Sequence, residues 1–138
     1  MTINEKIICI TCPNGCTLDV TREGQTVIKI RPGCKRGHDY VQRELTDPRR
    51  MVATTVRVRG GLHPLLPVAT AAPFPKPRIF ELMAALRSLE LPAPIKNGQP
   101  VLENALGTGI DILASRDMPG IGRGEERNLT TDELDELR

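Results

Sequence analysis

The sequence predicts an α+β protein: a small cysteine-ligated β-hairpin module followed by a compact α+β domain with one main helix against a small sheet. Three observations carry this expectation. Every cysteine falls in one C-x2-C-x3-C-x17-C constellation, Cys9, Cys12, Cys16 and Cys34. The stretch from Val52 to Arg59 alternates Val52, Thr54, Val56 and Val58 with Ala53, Thr55, Arg57 and Arg59, the pattern of a strand with one buried and one wet face. Ile79, Leu82, Met83, Leu86 and Leu89 recur at three- and four-residue spacing, which predicts an amphipathic helix. The expected organisation is a cysteine-cluster module over 1–50, an α+β domain over 51–116, and an acidic linker with a short helix over 117–138.

In chain order, the β-branched run Lys6 to Ile10 reads as a strand that delivers Cys9 and Cys12 into a turn. Pro13-Asn14-Gly15 supplies the turn chemistry that lets three sulfurs converge. Cys16 opens a second strand in which Leu18 and Val20 share its face, and Glu23-Gly24 leads into a third, Thr26 to Ile30. Pro32-Gly33 ends the hairpin and returns Cys34 to the triplet. Gly37 to Leu45 reads as a short helix packing Tyr40, Val41 and Leu45 on the hairpin, stopped by Asp47-Pro48.

After the Val52–Arg59 strand, Gly60-Gly61 turns the chain. The segment from Leu62 to Thr70 contains Pro64 and Pro67 and is expected at an edge or as coil. Pro77 is placed to begin the main helix, where its missing N–H costs nothing, and Pro92 and Pro94 close it. Two further strands are expected at Pro100 to Asn104 and Gly109 to Ala114, joined through Gly107-Thr108-Gly109, with the folded body ending near Arg116. Met118 to Glu126 reads as linker. Thr130 with Glu133 forms a capping box, with Leu129 and Leu134 as its staple, so a short terminal helix is expected. Its Leu134 and Leu137 offer a docking face for a partner; a solvated acidic tail is the plainer reading.

Composition narrows the function classes. With no Trp, one Tyr and two Phe in 138 residues, the core is aliphatic. Each buried aliphatic side chain contributes about 1.5–3 kcal/mol, so a head of about 50 residues is marginal without a staple. Thiolates on one centre would supply it. Residues 1–61 carry eleven Lys/Arg against six Asp/Glu, whereas residues 117–138 carry three against seven. The basic head lacks aromatic stacking platforms and any helix dense in Lys or Arg, which argues against nucleic acid and for a solvated face or an acidic partner. No run approaches the roughly eighteen apolar residues of a membrane span, and the start, Met1 to Lys6, lacks the charged-then-apolar pattern of a secretory signal. A cytoplasmic setting is expected, where clustered thiols bind metal more often than they form disulfides.

Three chemistries suit the cysteines. Structural zinc usually draws on two separate C-x2-C knuckles, whereas this chain has one such pair, a third cysteine close by and a distant fourth. A tight triplet with a remote singleton is commoner for a 4Fe-4S cluster. A Cys9–Cys12 redox dithiol would leave Cys16 and Cys34 without a role. Lys35 and Arg36 adjoin the inferred centre, where positive charge raises a cluster's potential and guides a donor; solvated residues at a helix start are the equally weighted alternative. His38 and His63 are expected at the surface, no G-x-S-x-G turn surrounds Ser88 or Ser115, and Gly107-Thr108-Gly109 lacks the rest of a dinucleotide fingerprint.

The stretch Cys9-x2-Cys12-Pro13-Asn14-Gly15-Cys16, a hairpin, then Cys34-Lys35-Arg36-Gly37 resembles the N-terminal iron–sulfur segment of molybdopterin-dependent oxidoreductases. In those enzymes the residue before the glycine is Lys; here Arg36 stands there, and the chain is far too short to hold a pterin. A wider resemblance covers residues 6 to about 116. Cys34-Lys35-Arg36-Gly37, the strand Thr54-Thr55-Val56-Arg57-Val58, Leu66-Pro67-Val68 and Leu106-Gly107-Thr108-Gly109-Ile110-Asp111 look like the small CxxC-motif proteins of unknown function. Those proteins are encoded beside flavoprotein subunits of the anaerobic glycerol-3-phosphate dehydrogenase and NAD(FAD)-dependent dehydrogenase types. The resemblance implies a non-catalytic accessory subunit that passes electrons for a flavoprotein oxidoreductase. A zinc-stapled assembly adaptor without redox chemistry is the second expectation.

Overall fold

The computed structural model describes residues 1–122 and confirms an α+β architecture. Its elements run β1 (Thr2–Ile8), β2 (Thr17–Glu23), β3 (Thr26–Arg31), α1 (Lys35–Thr46), β4 (Arg49–Arg50), β5 (Ala53–Arg59), β6 (Leu65–Thr70) and β7 (Phe74–Pro75). A 3-10 turn, Lys76–Arg78, leads into α2 (Ile79–Arg87), followed by β8 (Glu90–Pro92), β9 (Pro100–Leu102), a second 3-10 turn (Ala105–Gly107) and β10 (Ile112–Ala114). The chain forms two compact units. The first comprises Met1–Val52 with Ala72–Leu82, and the second Ala53–Ala71 with Met83 onward. The division is therefore not one cut in sequence, because the segment around Phe74 returns to the first unit.

In the first unit β1, β2 and β3 form an antiparallel meander. Ile7 lies opposite Leu18, and Asp19 opposite Arg31, so the end of β1, the start of β2 and the end of β3 share one end of the sheet. Alternation turns Leu18 and Val20 inward, both almost fully buried, against Val41 of α1 and Cys9. Ile7, Val27, Ile30, Tyr40 and Leu45 complete this small core, as the helical spacing of Tyr40, Val41 and Leu45 requires. Gly33 has a φ of +136°, and a Cβ there would stand 2.7 Å from Leu18 Cδ2. Only glycine tolerates both that conformation and that approach.

Beyond α1 the chain is tied back by charge. Arg50 of β4 grips Glu44 with two hydrogen bonds of 2.9 and 2.8 Å, and Lys76 Nζ reaches the same carboxylate at 3.4 Å. The Arg50 guanidinium, then its charge, holds the Glu44 carboxyl below the usual carboxylate range against the opposing effect of burial.

The second unit is a five-stranded sheet in the order β8-β5-β6-β10-β9, all antiparallel except for β8 beside β5. Val56, Val58, Leu66, Val68, Ile112 and Ala114 face its core. Three expectations are corrected here. The segment with Pro67 is neither edge nor coil but the central strand β6, between β5 and β10. Pro67 lies opposite Thr55 at a position whose backbone groups point away from β5; they face the place where β10 ends, and its carbonyl there accepts from Ser115 N–H at 2.9 Å. The missing proline donor therefore costs no bond to β5 and falls where the β10 ladder ends.

Secondly, the folded body does not end at Arg116, nor is Met118 linker. Met118 is fully buried and exchanges both backbone hydrogen bonds with Ile95, at 2.8 and 2.9 Å, and Pro119 and Ile121 bond to Leu62 and Gly60. Thirdly, Glu90–Pro92, expected only as the close of a helix, forms a short parallel strand. A lone methionine among glycines and a three-residue strand carry no periodicity for a sequence pattern to register. The expected helix starting at Thr130 lies outside the described residues.

Two outcomes follow from these contacts. Met118→Ala should lower unfolding stability by about 2–5 kcal/mol, the cost of deleting a fully buried side chain, and a chain stopped after Arg116 should lose at least as much in urea denaturation. Glu44→Gln should cost about 1–2 kcal/mol at pH 7, the range for a partly exposed charge-assisted contact. Because the folded-state pKa of Glu44 is depressed, its contribution exists above the unfolded value and fades as pH falls below about 4. Denaturation curves of the two proteins should therefore converge in acid.

Candidate metal centre

The four cysteines sit where the meander and α1 meet. β1 ends at Ile8, but one more rung follows, in which Cys9 N–H donates to the Cys16 carbonyl at 2.8 Å. This rung closes the loop that carries Cys12, and Gly15 at φ +58° completes its turn. Alternation along β1 places Cys9 on the same face as Ile7, so its side chain is 5% exposed and belongs to the core. Its Sγ lies 3.0 Å from Thr11 Oγ1. Cys12 is half-buried, while Cys16 and Cys34 are exposed; all four are free thiols.

Cys34 is the N-cap residue of α1. Its side chain closes no cap hydrogen bond of ordinary geometry, yet the Gly37 backbone N–H faces the sulfur and is the main influence holding the thiol below its usual pKa. Desolvation is the next-largest influence and opposes it, and the Arg36 N–H and the Arg36 charge add smaller lowering effects. A helix start with no acidic residue in its first turn favours a thiolate. Lys35 and Arg36 are both exposed on that turn.

Gly37 brings α1 onto the hairpin. A Cβ at this position would stand 3.5 Å from Cys9 Sγ and 3.4 Å from Leu18 Cδ1. Sequence reasoning gave Gly37 no role beyond its place in the motif, since a helical glycine reveals its neighbour only once the fold is known. His38, expected at the surface, is half-buried, and its Nε2 is buried without a hydrogen-bond partner among the described residues. A Cβ on Gly33 would lie 3.4 Å from that nitrogen, so His38 belongs to the corner between β3 and Cys34. His63 is exposed, as expected.

The backbone thus gathers the segments bearing Cys9, Cys12, Cys16 and Cys34 at one end of the first unit. Their side chains do not converge: among the described residues, no three of His, Cys, Asp or Glu form a group with metal-holding geometry. The donor set nevertheless suits a thiophilic centre. It consists of four free thiols, two of them exposed and one biased toward thiolate.

The model of the family described as "Protein of unknown function (DUF1667)" matches residues 35–116. The chain belongs to this family. The DUF1667 match begins at Lys35, so it includes Lys35, Arg36 and Gly37 and leaves all four cysteines outside. No curated protein matches the chain. Among solved structures, the NMR structure of Clostridium perfringens protein CPE0013 is similar at a TM-score of 0.50 and 23% identity, covering 58% of this chain and 95% of that one. At that identity the likeness shows a shared fold alone. No helix among the described residues is long and apolar enough to cross a membrane.

The unequal exposure of the thiols and the lowered pKa of Cys34 predict unequal thiol reactivity in metal-free protein. Iodoacetamide should label Cys34 rapidly, with its rate persisting to lower pH than that of a free cysteine, and label Cys9 slowly unless the protein is unfolded. Arg36→Ala should move the Cys34 rate profile toward higher pH. Mass spectrometry of timed digests reads both.

Proposed function

We propose that this chain is an accessory electron-transfer subunit in which Cys9, Cys12, Cys16 and Cys34 hold one 4Fe-4S cluster for a flavoprotein dehydrogenase complex. The observation that carries the reading is the gathering of all four cysteine segments at one end of the first unit, through the Cys9–Cys16 rung and the seat of Gly37 beside Cys9 Sγ. Such a centre would supply one-electron transfer; the remaining roles fall to protein side chains. Cys34, lowered in pKa, gives up its proton more readily than an ordinary thiol. Lys35 and Arg36 place positive charge beside it, which favours the more negative, reduced state of a bound cluster. Burial of Cys9 keeps water from one side of the site.

The flavoprotein as partner is supported by the resemblance to CxxC-motif proteins encoded beside glycerol-3-phosphate dehydrogenase-like subunits. Substrate chemistry would then belong to that partner, and this chain would have no catalytic residue. A cytoplasmic setting follows from the same reading, since the thiols must stay reduced.

Anaerobic purification tests it. A brown protein with about four iron and four sulfide per chain, whose visible band bleaches with dithionite, is the expected result. A colourless protein with stoichiometric zinc would replace the reading with the assembly adaptor. In that case the partner's activity with an artificial acceptor should survive in the intact complex, and Cys34→Ser should unfold the head.

A further inference from the structure

The first unit carries a groove of about 500 Å³ whose wall includes the cysteine loop itself. Ile10 and Thr11, the residues between Cys9 and Cys12, form one side; Tyr40 and Arg43 of α1 and Arg49, Arg50 and Met51 of the β4 segment form much of the rest. Ile10 is 64% exposed and Met51 59%. One exposed aliphatic residue needs no explanation, but two lining the same groove beside a tyrosine make an apolar patch that water covers poorly.

The charges around that patch are unevenly committed. Arg50 is held by Glu44 through both terminal nitrogens. Arg49 gives its Nε to Asp47 at 2.8 Å and one terminal nitrogen to the Pro73 carbonyl at 3.4 Å. Arg43, exposed on α1, gives its Nε to the Asp39 carbonyl at 3.3 Å, an uncharged partner. Three guanidiniums thus line the groove with two carboxylates, Glu44 and Asp47, leaving an excess positive charge on the side of Arg43 and Arg49. Tyrosine, arginine and methionine around an apolar floor are the residue types enriched at the centres of protein interfaces.

We propose that this groove is the docking seat for an acidic segment of the redox partner. A short stretch of partner chain would place an apolar side chain between Ile10, Tyr40 and Met51 and set its carboxylates against Arg43 and Arg49. A free small anion would compete with Asp47 and Glu44 for the same guanidiniums and gain little else. A peptide segment also covers the apolar wall, and that burial offsets the competition. Occupation of the groove brings the partner against the Cys9–Cys12 loop. The partner's redox character rests on the cysteine-cluster reading above; the acidic and apolar chemistry of the seat does not.

The test uses the full chain and a fluorescent octapeptide with a central leucine flanked by Asp and Glu, beside its Asn and Gln counterpart. The acidic peptide should bind, more weakly as salt rises. Arg43→Glu and Met51→Glu should each weaken it about tenfold or more, while Lys29→Glu on β3 leaves it within about twofold. Thermal melts confirm that each variant is folded. Failure of the acidic peptide to bind, equal binding of both peptides, or unchanged affinity in the Arg43 and Met51 variants would overturn the proposal. So would displacement of the peptide by equimolar benzoate, which would mark a small-anion site. A chain shortened after Gly122 that binds the peptide far more tightly would identify the protein's own acidic end as the occupant. Iron and zinc are measured on the same preparation. Peptide binding without a cluster defeats only the cluster reading, and a cluster with no peptide binding defeats only this one.

Discussion

Close contact between α1 and the β1–β3 meander is the constraint on which the first unit depends. It is made at two glycines. Gly33 lies against Leu18 in a conformation other residues adopt only under strain, and Gly37 lets the helix descend to Cys9 Sγ. A methyl group at Gly33 would strike Leu18, and a helix pushed outward would uncover Val41, Leu18 and Cys9 together. These residues and Val20 are the buried residues of the cluster between the meander and α1, so the contact has few others with which to compensate. A cysteine thus takes part in a core that is too small to spare it, and the chemistry of the site and the stability of the fold meet at one side chain.

The same contact sets the electrostatics of the site. Cys34 caps the helix whose third residue, Gly37, lies one turn before Val41 on the core side, so the position of its sulfur before the first-turn N–H groups is a consequence of how α1 is seated. The Gly37 backbone plays two roles at once: its missing side chain admits Cys9, and its N–H is the main influence on the Cys34 thiol. Arg36 acts on that thiol without contacting the core. Replacing it would leave packing intact and change only the charge, whereas replacing Gly37 would change both. Family likeness covers Lys35, Arg36 and Gly37 but none of the cysteines, so it is silent on the metal.

Much of this was legible in the sequence because it was written in periodicity. The alternation of Val56 and Val58 and the spacing of Leu82 and Leu86 located β5 and α2 and their buried faces, and Pro13-Asn14-Gly15 located the loop of the cysteine triplet. What escaped was decided by partners distant in sequence. Pro67 looked like an edge residue because proline lacks a donor, yet β10 ends where that donor would have been used. Met118 looked like linker because its hydrogen-bonded partner, Ile95, is more than twenty positions away. His38 looked like a surface residue because nothing in its neighbourhood reveals that Gly33 and β3 fold over it. At the candidate site, the sequence supplied the donors and their common end of the hairpin. It could not supply their side-chain directions, and the divergence of Cys9 inward from Cys16 and Cys34 is a property of the fold.

The strands alone do not set that difference. Cys9, one rung beyond Ile7, pairs with Cys16, two residues before Leu18, so both lie on the face of Leu18; α1 covers Cys9 at Gly37, whereas Cys16 is left at the exposed mouth. Any centre bound by all four thiols must therefore straddle the boundary between core and solvent, with Cys9 as its inner ligand and Cys34 as an outer one. Tyr40 connects this boundary to the groove: it packs against the core that contains Cys9 and lines the cavity that contains Ile10 and Arg50. Burial, and then Glu44, raise its pKa above the ordinary phenol value, so at neutral pH it presents an uncharged ring and hydroxyl there. A ligand on the thiols and a partner in the groove would then both meet the Cys9–Cys12 loop and α1, the two elements that the cysteine site and the groove share.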